Sequence, residues 1–378
     1  MRIEEVSVSA HRIAPVSPWE DATNKVQALE FVFVVLKTDT GLEGTGFSYS
    51  VDVGITSISA LIEDYLAPLI VGMDPLDREQ IWTKLQRQSR RLGTGVNMLA
   101  IAAIDVAVWD LIGKALGQPL WRLFGGARPE IPAYISEIKL THDDTLADFS
   151  LRLDDYKAQG YRAVKFKIGR TEIEEDIARI RLAREKIGPD GKIFVDLNQK
   201  WTSSEARQKA AQLASFQLGW IEEPLLFHDV AAHATLRKST TTPIALGESL
   251  FSRAQFLEYL QQDAVDIIQA DVAFVGGPSE WLKIAHLADI FGRPVAPHYM
   301  MELSLHLLCG VPNGFMLENV IGGSFTELGL LEDPIVVKDA IGRPPSDAGH
   351  GLKFDRAALD ACAIRPDGSP IAFAGGSK

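Results

Sequence analysis

Ala163-Val164-Lys165-Phe166-Lys167-Ile168 is the stretch whose reading decides the fold. It reads as a strand because Val164, Phe166 and Ile168 alternate with two lysines, just after a helical segment that stops at Gly160. Side chains two apart on a strand share a face, so Lys165 and Lys167 point the same way. On an open antiparallel sheet that face would simply be the wet one. The strands that follow argue against this, because each ends in a carboxylate, an amide or an imidazole.

Working outward, strand candidates are Ile131 to Ser136, Lys192 to Leu197, Leu218 to Glu222, Ile244 to Gly247, Val265 to Gln269, Val295 to Pro297 and Phe315 to Leu317. Helical segments fit between most of them: Thr145 to Gln159, Ile173 to Ile187, Ser203 to Phe216, Asp229 to Lys238, Arg253 to Gln262 and Pro278 to Phe291. Parallel strands alternating with helices make an α/β fold, and about eight such units close into a TIM-like (β/α) barrel. A doubly wound sheet is the alternative. It is disfavoured because no glycine-rich nucleotide fingerprint follows an early strand.

Ahead of the barrel, Ile3 to Ile13, Leu29 to Lys37 and Gly44 to Ser48 read as a small antiparallel sheet, with Asp39-Thr40-Gly41 turning the last two. The polar connection from Ala14 to Val26 is long for a hairpin and reads as a lid, in which Trp19, Asp21 and Lys25 are substrate-contact candidates. Helices follow at Thr56 to Leu69, Asp77 to Arg90 and Val96 to Leu116, the last rich in alanine and stopped by Gly117. The expected organisation is an N-terminal α+β capping domain over residues 1–126, a barrel over 127–330 and a C-terminal segment over 331–378.

Composition narrows the partners. Fifty acidic against 38 basic side chains give a net charge of −12 with no long basic run, which disfavours nucleic acid. Cys309 and Cys362 suit a reducing compartment and form no zinc or redox spacing. The segment Val96 to Ile112 is interrupted by Asp105 and Asp110, and the N-terminus has no signal-peptide pattern. The expectation is a cytoplasmic protein without a membrane span.

Polar residues at the strand ends form a series: Lys165 and Lys167, Asp196 with Asn198, Glu222, Glu248, Asp271, His298 and Glu318. Successive members lie about one strand-helix unit apart, so a barrel brings them to its C-terminal mouth. Asp196, Glu222 and Glu248 are three oxygen donors from consecutive units without cysteine or histidine, a set that favours Mg²⁺, one per subunit, with Mn²⁺ as the fallback. Each alone could be a helix N-cap; together they read as ligands. Glu223 takes the opposite orientation if its strand continues. Asp271 would fix the tautomer of His298, which faces the lysine pair across the barrel. His306 is placed behind the site, and the other histidines, His142 included, are read as structural.

Taken in order, Lys-x-Lys, Asp-x-Asn, Glu-Glu-Pro, Gly-Glu, the Asp and His pair and the final Glu resemble the mandelate racemase branch of the enolase superfamily, over nearly the whole chain. The resemblance implies a modified barrel whose C-terminal tail returns to the cap, and a homo-oligomer, dimer or octamer. It implies proton abstraction next to the carboxylate of a small acid, giving a Mg²⁺-stabilised enediolate. Lys167 would be the base on one face, with a pKa depressed by the crowded cations, and Lys165 would neutralise the substrate carboxylate. His298 would act on the other face, and Glu318 would donate a proton or share one. The stretch Asp196 to Trp201, with Ala296-Pro297-His298 and Leu303 to Leu307, looks closest to acid-sugar dehydratases, which turn a hexarate or aldonate into a 2-keto-3-deoxy acid. Racemisation or epimerisation, lactone cycloisomerisation, and acid-sugar binding without turnover are the alternatives.

Overall fold

The computed structural model describes residues 1–141, 143–365 and 367–371; His142 and the last residues of the expected tail lie outside them. In chain order the cap and lid contribute β1 (Ile3–Ile13), β2 (Trp19–Glu20), β3 (Lys25–Val26), β4 (Leu29–Thr38) and β5 (Glu43–Val51). Next come β6 (Ile131–Glu137), β7 (Ala163–Lys167), β8 (Lys192–Asp196), β9 (Trp220–Glu222), β10 (Ile244–Leu246), β11 (Ile267–Ile268) and β12 (Leu317–Val320). The tail adds β13 (Ile341–Gly342) and β14 (Ala363–Ile364).

β1, β4 and β5 form the antiparallel cap sheet, and β14 pairs with β1 at its far edge. Gly41 makes the β4–β5 turn with φ +80°, a conformation glycine adopts at no steric cost. The alanine-rich helix Val96–Leu116 lies against β5, where Gly44 and Gly46 face Ala103 and Ala107. A Cβ on either glycine would collide with the helix backbone. This helix is apolar enough to cross a membrane by length and composition, but 94% of its apolar window is buried in the protein.

β6 to β12 form one parallel sheet in the order β11-β10-β9-β8-β7-β6-β12. It closes into a ring through Val295, which bridges to Ile268 on one side and Gly314 on the other. Each of the eight staves sends one side chain into a single interior layer: Tyr134, Ala163, Phe194, Trp220, Ala245, Ile267, Ala296 and Met316. Phe194 and Trp220 stack at 3.7 Å between ring centroids, and small alanines make room for them. The barrel is therefore plugged below its mouth.

The structure departs from the sequence reading in three elements. Val295 to Pro297 makes isolated bridges and no ladder, because the flanking prolines 294 and 297 lack the N–H donors a strand needs. The last stave runs Leu317–Val320, later than Phe315 to Leu317. Met301–Gly310 is a helix the sequence did not reveal; all ten of its residues are buried, which removes the polar face that betrays a helix.

Candidate active site

Strand alternation on β7 sends Val164 and Phe166 outward, where Phe166 meets the ring of Phe149 on the covering helix, and turns Lys165 and Lys167 inward. The lysine face is not wet: the two residues are 1% and 5% exposed. Lys165 Nζ lies 2.5 Å from Glu222 Oε1, 2.7 Å from Glu318 Oε1 and 3.6 Å from Asp196 Oδ2. Lys167 Nζ lies 2.5 Å from Asp196 Oδ2.

Asp196, Glu222 and Glu248 each offer a carboxylate oxygen, all within 4.8 Å of one another. Further hydrogen bonds hold the three carboxylates in place. Glu222 Oε2 accepts from Trp220 Nε1 and Gln269 Nε2, Asp196 Oδ1 from the Asn198 amide, and Glu248 Oε1 from Asn198 Nδ2 at 3.4 Å. Burial and the neighbouring Asp196 push Glu222 up to about 8. A converging set of hard oxygens under mutual repulsion fits a small divalent cation such as Mg²⁺.

Neighbouring charge shifts two of these groups strongly. Burial works against charge on Lys167, but Asp196 beside it more than compensates and holds its pKa above the ordinary lysine value, opposite to the depression anticipated from Lys165. Burial would likewise favour a protonated Glu318, yet Lys165 and His298 pull its pKa down to about 2. Glu318 Oε2 accepts from the Tyr299 amide at 2.7 Å.

His298 Nδ1 lies 2.7 Å from Asp271 Oδ2, which leaves Nε2 toward Glu248 at 3.4 Å. Burial opposes a charge on the ring, but Glu248 and Asp271 raise its pKa to about 10. Asp271 is itself clamped by the Ala273 and Phe274 amides and by Tyr49, whose hydroxyl donates to Oδ2 at 2.5 Å. Tyr49 comes from β5 in the cap, and its place in Phe47-Ser48-Tyr49 looks like any alternating strand, so no sequence signal marked it.

These groups and the lid enclose a cavity of 440 Å³. Lysines 165 and 167, Asn198, Glu248, His298 and Glu318 line it, as do Trp19, Asp21, Thr23 and Asn24 of the lid. Trp19 is also a structural clamp, since its Nε1 donates to Ile321 O at 2.8 Å and its ring meets Tyr299 edge-on. The lid is stitched to the barrel where the Glu20 amide donates to Ile138 O and the Leu140 amide to Glu20 O. Lys25 does not line the cavity; its side chain is 72% exposed and lies 3.7 Å from Glu20, because β3 turns it away from the mouth. Glu223 follows the end of β9 with φ +37°, so strand alternation does not govern it, and it lines the cavity hydrogen-bonded to Gln199. Five of the ten non-glycine residues with positive φ among the described residues, Asp52, Asn198, Gln199, Glu223 and Tyr299, line this one cavity. Strain of that kind concentrates where geometry is needed for chemistry. His306 sits elsewhere, between the Trp121 amide and His350 O.

Residues 3–125 match the sequence family described as the mandelate racemase / muconate lactonizing enzyme N-terminal domain, and residues 149–358 match the enolase C-terminal domain-like family. The chain belongs to the mandelate racemase and muconate lactonizing enzyme family. Within this family it is 31% identical over 364 residues to a 3,6-anhydro-α-L-galactonate cycloisomerase of Streptomyces coelicolor, covering 96% of this chain and 99% of that one. It is 35% identical over 364 residues to the L-talarate/galactarate dehydratase of Salmonella typhimurium, covering 93% and 88%. The L-talarate dehydratase of Polaromonas sp. JS666, crystallised with Mg and L-glucarate, superposes with a TM-score of 0.90 at 31% identity, covering 96% and 98%.

Proposed function

We propose that the chain is a Mg²⁺-dependent enzyme that removes the proton next to the carboxylate of an acid sugar and expels the neighbouring hydroxyl, leaving a 2-keto-3-deoxy acid. The observation that carries this reading is a single cavity lined by two proton-transfer groups, Lys167 and the Asp271-oriented His298, and by Glu248, one of three converging carboxylates. Asp196, Glu222 and Glu248 would hold Mg²⁺, which supplies neutralisation of the charge that builds on the substrate carboxylate. Lys165 adds a fixed cation beside them. With Asp196 committed to the cation, Lys167 would lose the partner that holds its proton, and its neutral Nζ would take the α-proton. His298, with Nδ1 committed to Asp271, has Nε2 left to protonate the departing hydroxyl, so the water leaves neutral. Glu318 anchors Lys165 as its counter-charge. Hydrogen-bonding side chains of Thr23, Asn24, Asn198 and Ser249 along the walls suit a hydroxylated chain.

Racemisation keeps a place because the same two groups could deliver a proton to either face of the α-carbon. Proton NMR in D₂O with Mg²⁺, over aldonates, aldarates and simple 2-hydroxy acids, separates these outcomes. Appearance of a 3-deoxy-2-keto product is expected. Deuterium at C2 with inversion and no loss of water would replace the dehydratase by a racemase, and no exchange with any acid that binds would remove the enzyme reading.

A further inference from the structure

Resting on the proton-abstraction reading, we infer that the far end of the substrate carries no second carboxylate: the cavity is built for an aldonate and rejects the aldarate of the same configuration. The charges lining the cavity support this. Among the described residues its cations are Lys165, Lys167 and His298 alone. Each is already committed at the chemical end, Lys165 to Glu222 and Glu318, Lys167 to Asp196, and His298 to Asp271 and Glu248. A first carboxylate placed over the metal ligands uses that end. A second, at the far end of a six-carbon chain, meets the lid and the turn after β5, where the charged side chains are Asp21 and Asp52.

Both carboxylates are fixed. Asp21 Oδ1 accepts from the Thr23 amide and hydroxyl and from the Asn24 amide, and Asp52 Oδ1 accepts from the Gln27 and Ala28 amides at 2.8 Å. Asp52 is locked further by its left-handed backbone at φ +62°. Neither can swing away cheaply. Lys25, Arg170 and Lys200 line an adjoining groove rather than the cavity, the two sharing Asp21, Thr23 and Asn24 as a wall. Lys25 lies beside Glu20, and Arg170 is engaged by Glu175 and the Thr141 carbonyl. A terminal carboxylate would therefore lose its water facing two fixed like charges with no cation lining that end of the cavity among the described residues, whereas a terminal CH₂OH keeps donors and acceptors in Thr23 and Asn24.

The test uses aldonates paired with the aldarates that differ only in oxidation of the terminal carbon, assayed with Mg²⁺ at one ionic strength. For the pair whose configuration is accepted, the aldonate is expected to have a kcat/KM at least 30-fold above its aldarate. In D21N and D52N, and most in the double variant, the aldarate-to-aldonate ratio should rise at least tenfold, since asparagine keeps the turn hydrogen bonds and removes the charge. An aldarate turned over as well as its aldonate, or a ratio indifferent to both substitutions, overturns the inference while leaving the dehydratase standing. Calorimetry on K167A, where substrates persist, reads the same preference as a ratio of dissociation constants. If wild type turns over neither class yet K167A binds the aldonate at least tenfold tighter, the charge inference holds and the proposed reaction fails.

Discussion

Two layers of the same barrel, one residue pair apart, behave in opposite ways. Phe194, Trp220, Ala296 and Met316 belong to the apolar plug, and Asp196, Glu222, His298 and Glu318, each two positions later in the chain, belong to the charged mouth. On β8 and β9 this is strand alternation at its simplest, because residues two apart project to the same side. The lower layer is satisfied by packing alone, with Phe194 stacked on Trp220 and Tyr134 edge-on to both. The upper layer is a lattice of buried charges in which Glu222 is pushed up to about 8 and Lys165 and Lys167 are held high. The contrast teaches that the plug supplies stability and keeps water from entering below, while the mouth holds charge that only a cation and an anionic substrate would complete.

Substitutions in the two layers should separate accordingly. The largest effect is expected at the mouth. Lys167→Ala should lower turnover by about 10²- to 10⁴-fold, the span of a lost general base, with Mg²⁺ binding retained by calorimetry. One layer down, Phe194→Ala should cost about 3 to 5 kcal/mol in denaturant unfolding through the cavity it leaves, and Mg²⁺ affinity of the folded protein should change far less than its stability. A full-stability Phe194→Ala with lost metal binding would erase the distinction between the layers.

A third region sharpens the comparison, because its two buried histidine rings are neutral and fully paired. At the seam of cap, barrel and tail, His306 Nδ1 accepts from the Trp121 amide and Nε2 donates to His350 O, while His350 Nε2 donates to Thr45 O and Nδ1 accepts from the Leu352 amide. Neither ring has room for a second proton. Burial is the main cause that lowers both, His306 to about 3. For a base with a depressed folded pKa, the unfolded chain takes up the proton first, so this contribution is intact above about 6.5 and is lost as pH falls toward 3. Between pH 6.5 and 4.5 His306 alone should remove on the order of 1 to 3 kcal/mol. Denaturant titrations should show that slope, and it should shrink in His306→Gln. The smallest effect is expected at the link between cap and mouth: Tyr49→Phe removes one of the bonds holding Asp271 and should lower kcat about tenfold with little change in KM. Because Tyr49 acts on the His298 wall, water loss should slow more than α-proton exchange driven by Lys167.

Much of this was legible in the chain. Alternation placed Lys165 and Lys167 on one face, and the regular spacing of Asp196, Glu222 and Glu248 assigned them to successive units of one ring, since strand period and barrel geometry are local and repetitive properties. Helix Met301–Gly310 escaped because its burial on every side erases periodicity, and the Val295 stave was overcalled because bridging carbonyls and amides in a proline-flanked segment look like a strand in composition. The direction in which neighbours shift Lys167 and Glu318 was not legible for a different reason: a pKa depends on which opposite charge lies within a few ångströms, and that distance is not a sequence property.

The sequence by itself determined the ring, its order of charged strand ends and the carboxylate set, because each follows from short-range periodicity repeated along the chain. Only the tertiary structure decided that Tyr49 reaches Asp271 from the cap, that Lys25 turns away from the cavity while Asp21 and Asp52 line it, and that His306 belongs to the seam. Those are meetings of segments far apart in sequence, set by how cap, lid and tail pack on the barrel, and packing between distant surfaces leaves no period to read.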